Sequence, residues 1–200
     1  LIENWELFAR REDLHPIIQT AVLHAQFEMI HPFLDGNGRM GRLLITLFLA
    51  SKRILHTPCF YISAYLQRHR GAYYASLAQI SRNSDWNPWI SFFLNAVVEH
   101  SKANASLLMK MTDLYEVSKN RFAEATHSSL AVELLDYLFA QPIFTIPNLI
   151  KQTKLQVSKA TLISTVQKLE KAGLVTKISE GRGRRPTVWK FWALVDLIQD

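Results

Sequence analysis

The chain has 200 residues, of which 48% are hydrophobic, and it carries a formal net charge of +6. This length accommodates one large domain or two modest ones, and the composition is that of a globular protein rather than a disordered one. The longest apolar-rich run, Leu43–Ala50, is far shorter than the roughly 20 residues of a membrane-spanning helix. A single cysteine, Cys59, excludes an internal disulfide, and we expect a cytoplasmic protein with no membrane partner.

The first two-thirds of the chain predicts helices. Apolar residues recur at helical spacing over His15–Ile30, and Pro16 suits the first turn. His31 ends this helix because it precedes a proline, which disfavours the helical conformation. A glycine-rich turn follows, and Arg39–Arg53 is again helical and apolar on most sides, as expected in a core. Further helices are predicted at about 68–81, 87–104 and 105–124.

The pattern changes near residues 119–128, and we predict two domains there, 1–122 and 128–200. Beyond the junction the sequence predicts helices at 130–139, 145–152 and 158–172, and then two β-prone runs at 174–178 and 187–192. Residues 151–200 hold ten basic and four acidic side chains. Three helices followed by a basic hairpin form the layout of a winged helix-turn-helix.

The glycine-rich turn carries the chemistry. Gly36 and Gly38 flank Asn37 just before a helix, where exposed backbone N–H groups make an anion site. Arg39 and Arg42 are three residues apart, so both can lie on one face of the first turn and bind a di- or triphosphate.

Two further side chains complete the set of groups needed to transfer a phosphorus centre. Asp35 is a hard oxygen ligand at the mouth of the turn, suited to Mg²⁺ beside phosphates. His31 supplies an imidazole, which can take a proton from a hydroxyl nucleophile. Each residue alone also has a structural role open to it, as a turn, a cap or a solvated face, so the prediction depends on their joint arrangement.

Residues 31–42, HPFLDGNGRMGR, resemble the signature of the Fic family at every defined position. The resemblance extends from about Leu14 to Ala103. It implies a mainly α fold, here a helical Fic core followed by a small α+β winged-helix domain. It also implies transfer of AMP from ATP to a Ser, Thr or Tyr hydroxyl of a target protein.

The resemblance also implies roles for individual residues. His31 is the general base, and Asp35 binds Mg²⁺. The nucleotide is expected to contact Asp35, Gly36, Asn37, Gly38, Arg39, Met40, Gly41, Arg42, Tyr73 and Tyr74. Family members that transfer the γ-phosphate carry lysine at the position of Gly38, so this glycine favours AMP transfer.

Two parts of the family pattern are not visible in the sequence. A flap hairpin that aligns the target segment is expected before the motif, yet only thirty residues precede His31. The inhibitory pattern Ser/Thr-x-x-x-Glu-Gly/Asn has no full match, since Val117 follows Glu116 and Leu134 follows Glu133. We therefore expect both parts outside these residues or in another chain.

The C-terminal domain leaves DNA open as a partner. The predicted contacts on the helix 158–172 and on the hairpin are Lys159, Thr161, Thr165, Lys168, Arg182, Arg184 and Arg185. Winged helices also serve as dimer or protein-docking modules, so a homo-oligomer stays open too. Two other functions remain alternatives to AMP transfer: a DNA-binding regulator whose Fic module senses nucleotide, and transfer of another nucleotide or a phosphate on the same loop.

Overall fold

A computed structural model describes residues 1–57, 60–153, 157–183 and 185–199. Its helices are α1 (Ile2–Ala9), α2 (Pro16–Ile30), α3 (Asn37–Ser51), α4 (Ser63–Arg68), α5 (Arg70–Asn83), α6 (Asn87–Thr126), α7 (Ala131–Ala140), α8 (Ile146–Gln152), α9 (Lys159–Lys171) and α10 (Trp192–Gln199). Its strands are β1 (Ile143–Phe144), β2 (Thr176–Ser179) and β3 (Val188–Lys190). The architecture is therefore mainly helical with one small sheet. Within the described residues no helix combines the length and hydropathy needed to cross a membrane.

Spatial contacts divide the chain into two compact units, Leu1–Ala103 and Asn104–Asp200. The division falls inside α6, which is one continuous helix. The prediction of separate helices at 87–104 and 105–124 was therefore wrong, because no proline or glycine interrupts this stretch. The predicted domain ranges, 1–122 and 128–200, place the junction later in the chain and stay a prediction.

The core of the first unit is built where α2 and α3 pack closely. Ala21 and Ala25 lie one turn apart on α2 and are fully buried, and they face a core that includes Ile45 of α3. Small residues at this spacing let two helices approach each other. The indole of Trp89, buried on α6, donates a hydrogen bond to the carbonyl of Ala21 at 2.9 Å. This packing fixes both ends of the loop that joins α2 to α3.

Gly41 allows the closest part of this approach. A Cβ added there would lie 2.5 Å from Oε1 of Glu28 and 3.3 Å from ring atoms of His24 and Phe27. All three neighbours belong to α2. Gly41, the next-to-last residue of the motif, therefore permits close packing of α3 on α2.

The second unit has its own apolar core and a sheet of strand order β1-β3-β2, with both pairs antiparallel. Leu134 of α7, Leu149 of α8 and Val166 of α9 are fully buried in this core. The predicted helix 158–172 is confirmed as α9, whose N-cap Ser158 accepts a hydrogen bond from Thr161 N–H. The hairpin of β2 and β3 is also confirmed. Strand β1, only two residues long, was not predicted.

Candidate active site at the loop between α2 and α3

His31 ends α2 in the left-handed conformation, with φ of 50°. Its backbone N–H donates to the carbonyl of Phe27 at 3.0 Å, and its side chain is exposed. Nδ1 lies 3.4 Å from the carbonyl oxygen of Glu28. A proton on Nδ1 would point to that carbonyl and leave Nε2 as an acceptor, which is the tautomer a general base requires.

Asn37 holds the loop in shape from the inside. Its side chain is buried and bonds both backbone groups of Phe33: Oδ1 accepts from the N–H at 2.9 Å, and Nδ2 donates to the carbonyl at 2.6 Å. The resemblance implied that this side chain would contact phosphate. In the structure its carbonyl oxygen and one amide hydrogen are already used by the loop, so its main visible role is to fix the turn.

Asp35 remains open to solvent at the tip of the loop. Oδ1 accepts from the N–H of Gly36 at 2.7 Å, and Oδ2 lies 3.5 Å from Nη2 of Arg39. The side chains of this ion pair are 93% and 79% exposed, so solvent screens their attraction and either group can exchange its partner. No cluster of three or more His, Cys, Asp or Glu that could hold a metal occurs among the described residues. A lone exposed carboxylate beside a phosphate site fits Mg²⁺, which takes most of its ligands from water and phosphate.

The first turn of α3 offers backbone N–H groups to an anion. Gly36 is its N-cap with φ of 83°, a conformation that suits glycine, and no side chain caps the turn. The first N–H groups of a helix have no partner within it, and the helix dipole adds positive potential there. Gly38 leaves room for Arg42, because a Cβ at Gly38 would lie 3.1 Å from Nη1 of that arginine.

Arg42 is shared by two cavities. One, of about 240 Å³, is lined by Arg42, Ser63, Leu66, Gln67, Arg70, Tyr73 and Tyr74. The other, of about 180 Å³, is lined by Arg39, Arg42, Leu43, Tyr61 and Ser63. The structure thus brings the predicted Tyr73 and Tyr74 together with Arg42. Sequence reasoning missed Arg70, although it lies one turn before Tyr74 and its guanidinium sits 5.5 Å from the centre of that ring.

The two tyrosines differ in their surroundings. Tyr73 is buried, and its hydroxyl lies 3.1 Å from Nε2 of His24, whose Nδ1 lies 3.1 Å from the carbonyl of Gly41. Burial lowers the pKa of His24 to about 4, so the imidazole is neutral at physiological pH. Burial also raises the pKa of Tyr73. Tyr73 of α5 is therefore connected to α3 through His24 of α2. Tyr74, by contrast, is 54% exposed, so its ring is accessible to a ligand.

The predicted DNA contacts in the second unit separate into two groups. Lys159, Thr161, Lys168, Arg182 and Arg185 are exposed. Thr165 is buried and donates to the carbonyl of Thr161, so its prediction as an exposed contact was wrong. Lys168 donates from Nζ to the carbonyl of Thr126 at 3.0 Å.

The hairpin turn carries the remaining predicted contacts. Arg182 and Arg185 pair with each other through their backbones, at 3.1 Å in both directions. Arg184, between them, lies outside the described residues. The exposed guanidinium groups of this turn are therefore held on a short backbone bridge.

The fold and the loop define a class: a helical unit in which an imidazole, a carboxylate and two arginines lie near a helix N-terminus without a side-chain cap. Residues 1–49 match the family model described as Fic/DOC family. A protein adenylyltransferase Fic from Nematostella vectensis is 33% identical over 123 residues, covering 62% of this chain and 26% of that protein. One of the same name from Culex quinquefasciatus is 35% identical over 90 residues, covering 45% of this chain and 17% of that protein.

A solved structure supports the same placement at the level of fold. The crystal structure of a Fic family protein from Desulfovibrio desulfuricans G20 aligns with a TM-score of 0.51 and 20% identity, covering 94% of this chain and 53% of that one. These matches show that the chain is similar to Fic family proteins, in sequence over part of its length and in fold. The chain spans about a quarter or less of the length of the two adenylyltransferases and about half of the solved structure.

Proposed function

We propose that the first unit transfers AMP from ATP to a Ser, Thr or Tyr hydroxyl of a target protein. One observation carries this proposal: the loop presents an exposed imidazole and an exposed carboxylate beside the uncapped N-terminus of α3. The relatives named protein adenylyltransferase support the same chemistry.

Each residue of the loop has a separate role in this proposed reaction. The acceptor hydroxyl oxygen attacks the α-phosphorus of ATP while His31 Nε2 takes its proton, and the bond from that phosphorus to the bridging oxygen breaks. AMP is then joined to the target, and pyrophosphate leaves. Arg39, Arg42 and the first N–H groups of α3 stabilise the charge on the leaving group. Asp35 would hold Mg²⁺, which supplies further neutralisation of phosphate charge when bound.

The space at Gly38 supports AMP transfer over phosphate transfer. A Cβ there would lie 3.1 Å from Nη1 of Arg42, so a side chain at this position would require the guanidinium to shift. Glycine leaves Arg42 between the two cavities, where it can hold the phosphates beyond the transferred group. Tyr74 and Arg70 then provide an exposed ring and a cation for the nucleoside end.

Labelled ATP tests the proposal. The chain is incubated with Mg²⁺, a cell lysate and ATP labelled on either the α- or the γ-phosphate, and the labelled proteins are separated. Label from the α-phosphate alone is the expected result. Label from the γ-phosphate would favour phosphate transfer, and binding of ATP without any labelled protein would favour a nucleotide sensor.

A second function is supported by the charge of the other unit. We propose that the order α7, β1, α8, α9, β2, β3 is that of a winged helix and that it binds DNA through Lys159, Thr161 and the arginines of the hairpin turn. Arg182→Ala with Arg185→Ala should weaken retention on duplex DNA and reduce its salt dependence. Failure of the unaltered protein to bind duplex DNA at low salt would contradict this function.

A further inference from the structure

Glu28 is a partly buried acid that the proposed reaction does not use. It lies on α2 one turn before His31. Its Oε1 is shielded from solvent and has no hydrogen-bond partner among the described residues. A buried carboxylate oxygen without a donor is costly, so its retention at this position calls for a physical reason.

The carboxylate lies against the first turn of α3. Oε1 is 2.5 Å from the position of an added Cβ at Gly41 and 4.0 Å from that at Gly38. The added Cβ at Gly38 would also lie 3.1 Å from Nη1 of Arg42. The acid and the guanidinium therefore approach the same glycine, beside the N–H groups proposed to hold phosphate.

The charges around Glu28 act in opposite directions. Burial, the largest influence, raises its pKa, while Arg42 and His31 oppose that rise by favouring the ionised form. From α5, the phenol of Tyr73 faces the same cluster and has its pKa raised in part by Glu28. His24, the other titratable group on this side of α2, is buried and neutral. Arg42 is therefore the main cation that balances an ionised Glu28.

We infer that Glu28 is a positioning residue that couples nucleotide binding to the uptake of a proton. This inference rests on the proposed ATP site. While Glu28 is ionised, it offsets the charge of Arg42. When a polyphosphate approaches, the carboxylate takes a proton from solvent, and Arg42 is left to bind phosphate oxygens. The proton returns to solvent when the nucleotide leaves.

Linkage fixes the sign of this coupling. Phosphate charge near Glu28 favours its protonated form, so binding must take up protons, and lower pH must strengthen binding as Glu28 protonates. A protein with a permanently neutral side chain at position 28 should bind nucleotide more tightly at high pH than the unaltered protein does. For one charge removed beside a partly solvated phosphate, we expect about a three- to tenfold gain in affinity.

Calorimetric titration of the full chain with ATP, in two buffers of different ionisation enthalpy, measures both quantities. Glu28→Gln should bind ATP about three- to tenfold more tightly at pH 8 and should take up fewer protons than the unaltered protein. The difference between the two proteins cancels the titration of ATP itself. Glu28→Asp, an acid of lower reference pKa, should take up the proton over a range shifted to lower pH. Glu12→Gln, which neutralises an exposed acid of the same unit, should behave like the unaltered protein.

The outcomes separate this inference from the proposed function. If Glu28→Gln matches the unaltered protein in affinity and proton uptake, Glu28 is only structural and the inference fails while AMP transfer stands. If the unaltered protein does not bind ATP, the proposed function fails and the inference fails with it. If Glu28→Gln does not fold, Glu28→Asp decides: a proton uptake shifted to lower pH supports the coupling, and the same pH dependence of uptake as in the unaltered protein overturns it.

Discussion

The helices α3 and α9 begin in opposite ways. Ser158 caps α9 by accepting from the N–H of Thr161 at 3.1 Å, as expected for a helix start whose role is structural. Before α3 stands Gly36, which has no side chain to offer, and the polar side chain that follows it, Asn37, turns inward to hold the loop. Ser158 satisfies one N–H group of α9, whereas no side chain caps α3. Since α1, α4, α5 and α7 also lack a side-chain cap, the N-terminus of α3 is a candidate binding site because of the imidazole, carboxylate and arginines beside it.

The largest expected effect comes from removing the base beside the uncapped helix. His31→Ala should lower AMP transfer at least about a hundredfold, because general-base catalysis contributes that much or more. ATP binding should persist, since the imidazole acts on the acceptor. Labelling from α-labelled ATP and calorimetric binding measure the two effects. Equal labelling by the variant would contradict the role of His31.

His24, a buried residue that contacts the carbonyl of Gly41 on α3, should make the free energy of unfolding depend on pH. His24 is neutral when folded, with its pKa lowered to about 4, whereas in the unfolded chain it titrates near 6.5. The unfolded state therefore binds the proton first, and stability falls as pH drops from about 6.5 to about 4. We expect a loss of roughly 3 kcal/mol or less over this range. In His24→Gln that part of the loss should vanish in urea unfolding; equal pH profiles would refute it.

The close contact of α2 with α3 is tested by a single methyl group. Gly41→Ala should destabilise the protein by about 1–3 kcal/mol, because the new Cβ meets Glu28, His24 and Phe27. Gly71→Ala is the matched control: it is helical with nothing within 4 Å of its added Cβ, and it should stabilise by roughly 0.5–1 kcal/mol. Thermal unfolding measures both changes. Similar behaviour of the two variants would mean that α3 can move away from α2.

The smallest effect is expected at the capped helix. Ser158→Ala removes the acceptor for Thr161 N–H and should lower the free energy of unfolding by about 1 kcal/mol. AMP transfer by the first unit should not change. Urea unfolding and labelling measure the two results, and a loss of labelling would show that the cap matters to the chemistry of the loop.

The sequence predicted what depends on local pattern. Pro16, the break at His31 and the helix start at residue 158 were all readable as helix boundaries, and each is confirmed. The packing of Glu28 against α3 and of Tyr73 against His24 was not readable, since it arises only where α2 meets other helices. Thr165 was misplaced for a related reason: the spacing of polar residues on α9 does not reveal which polar side chain bonds back to its own helix.

The left-handed backbone at His31 restricts which residues fit this position, independently of the chemistry proposed for the imidazole. Histidine, asparagine and aspartate enter that conformation more readily than most residues, whereas β-branched residues are strained there. In a saturation mutagenesis of the loop, valine or isoleucine at position 31 should therefore cost both stability and AMP transfer. His31→Asn fits the left-handed backbone without strain and removes only the proposed general base. The difference in stability and AMP transfer between His31→Asn and the β-branched variants would show how much of the requirement for histidine comes from backbone conformation and how much from proton transfer.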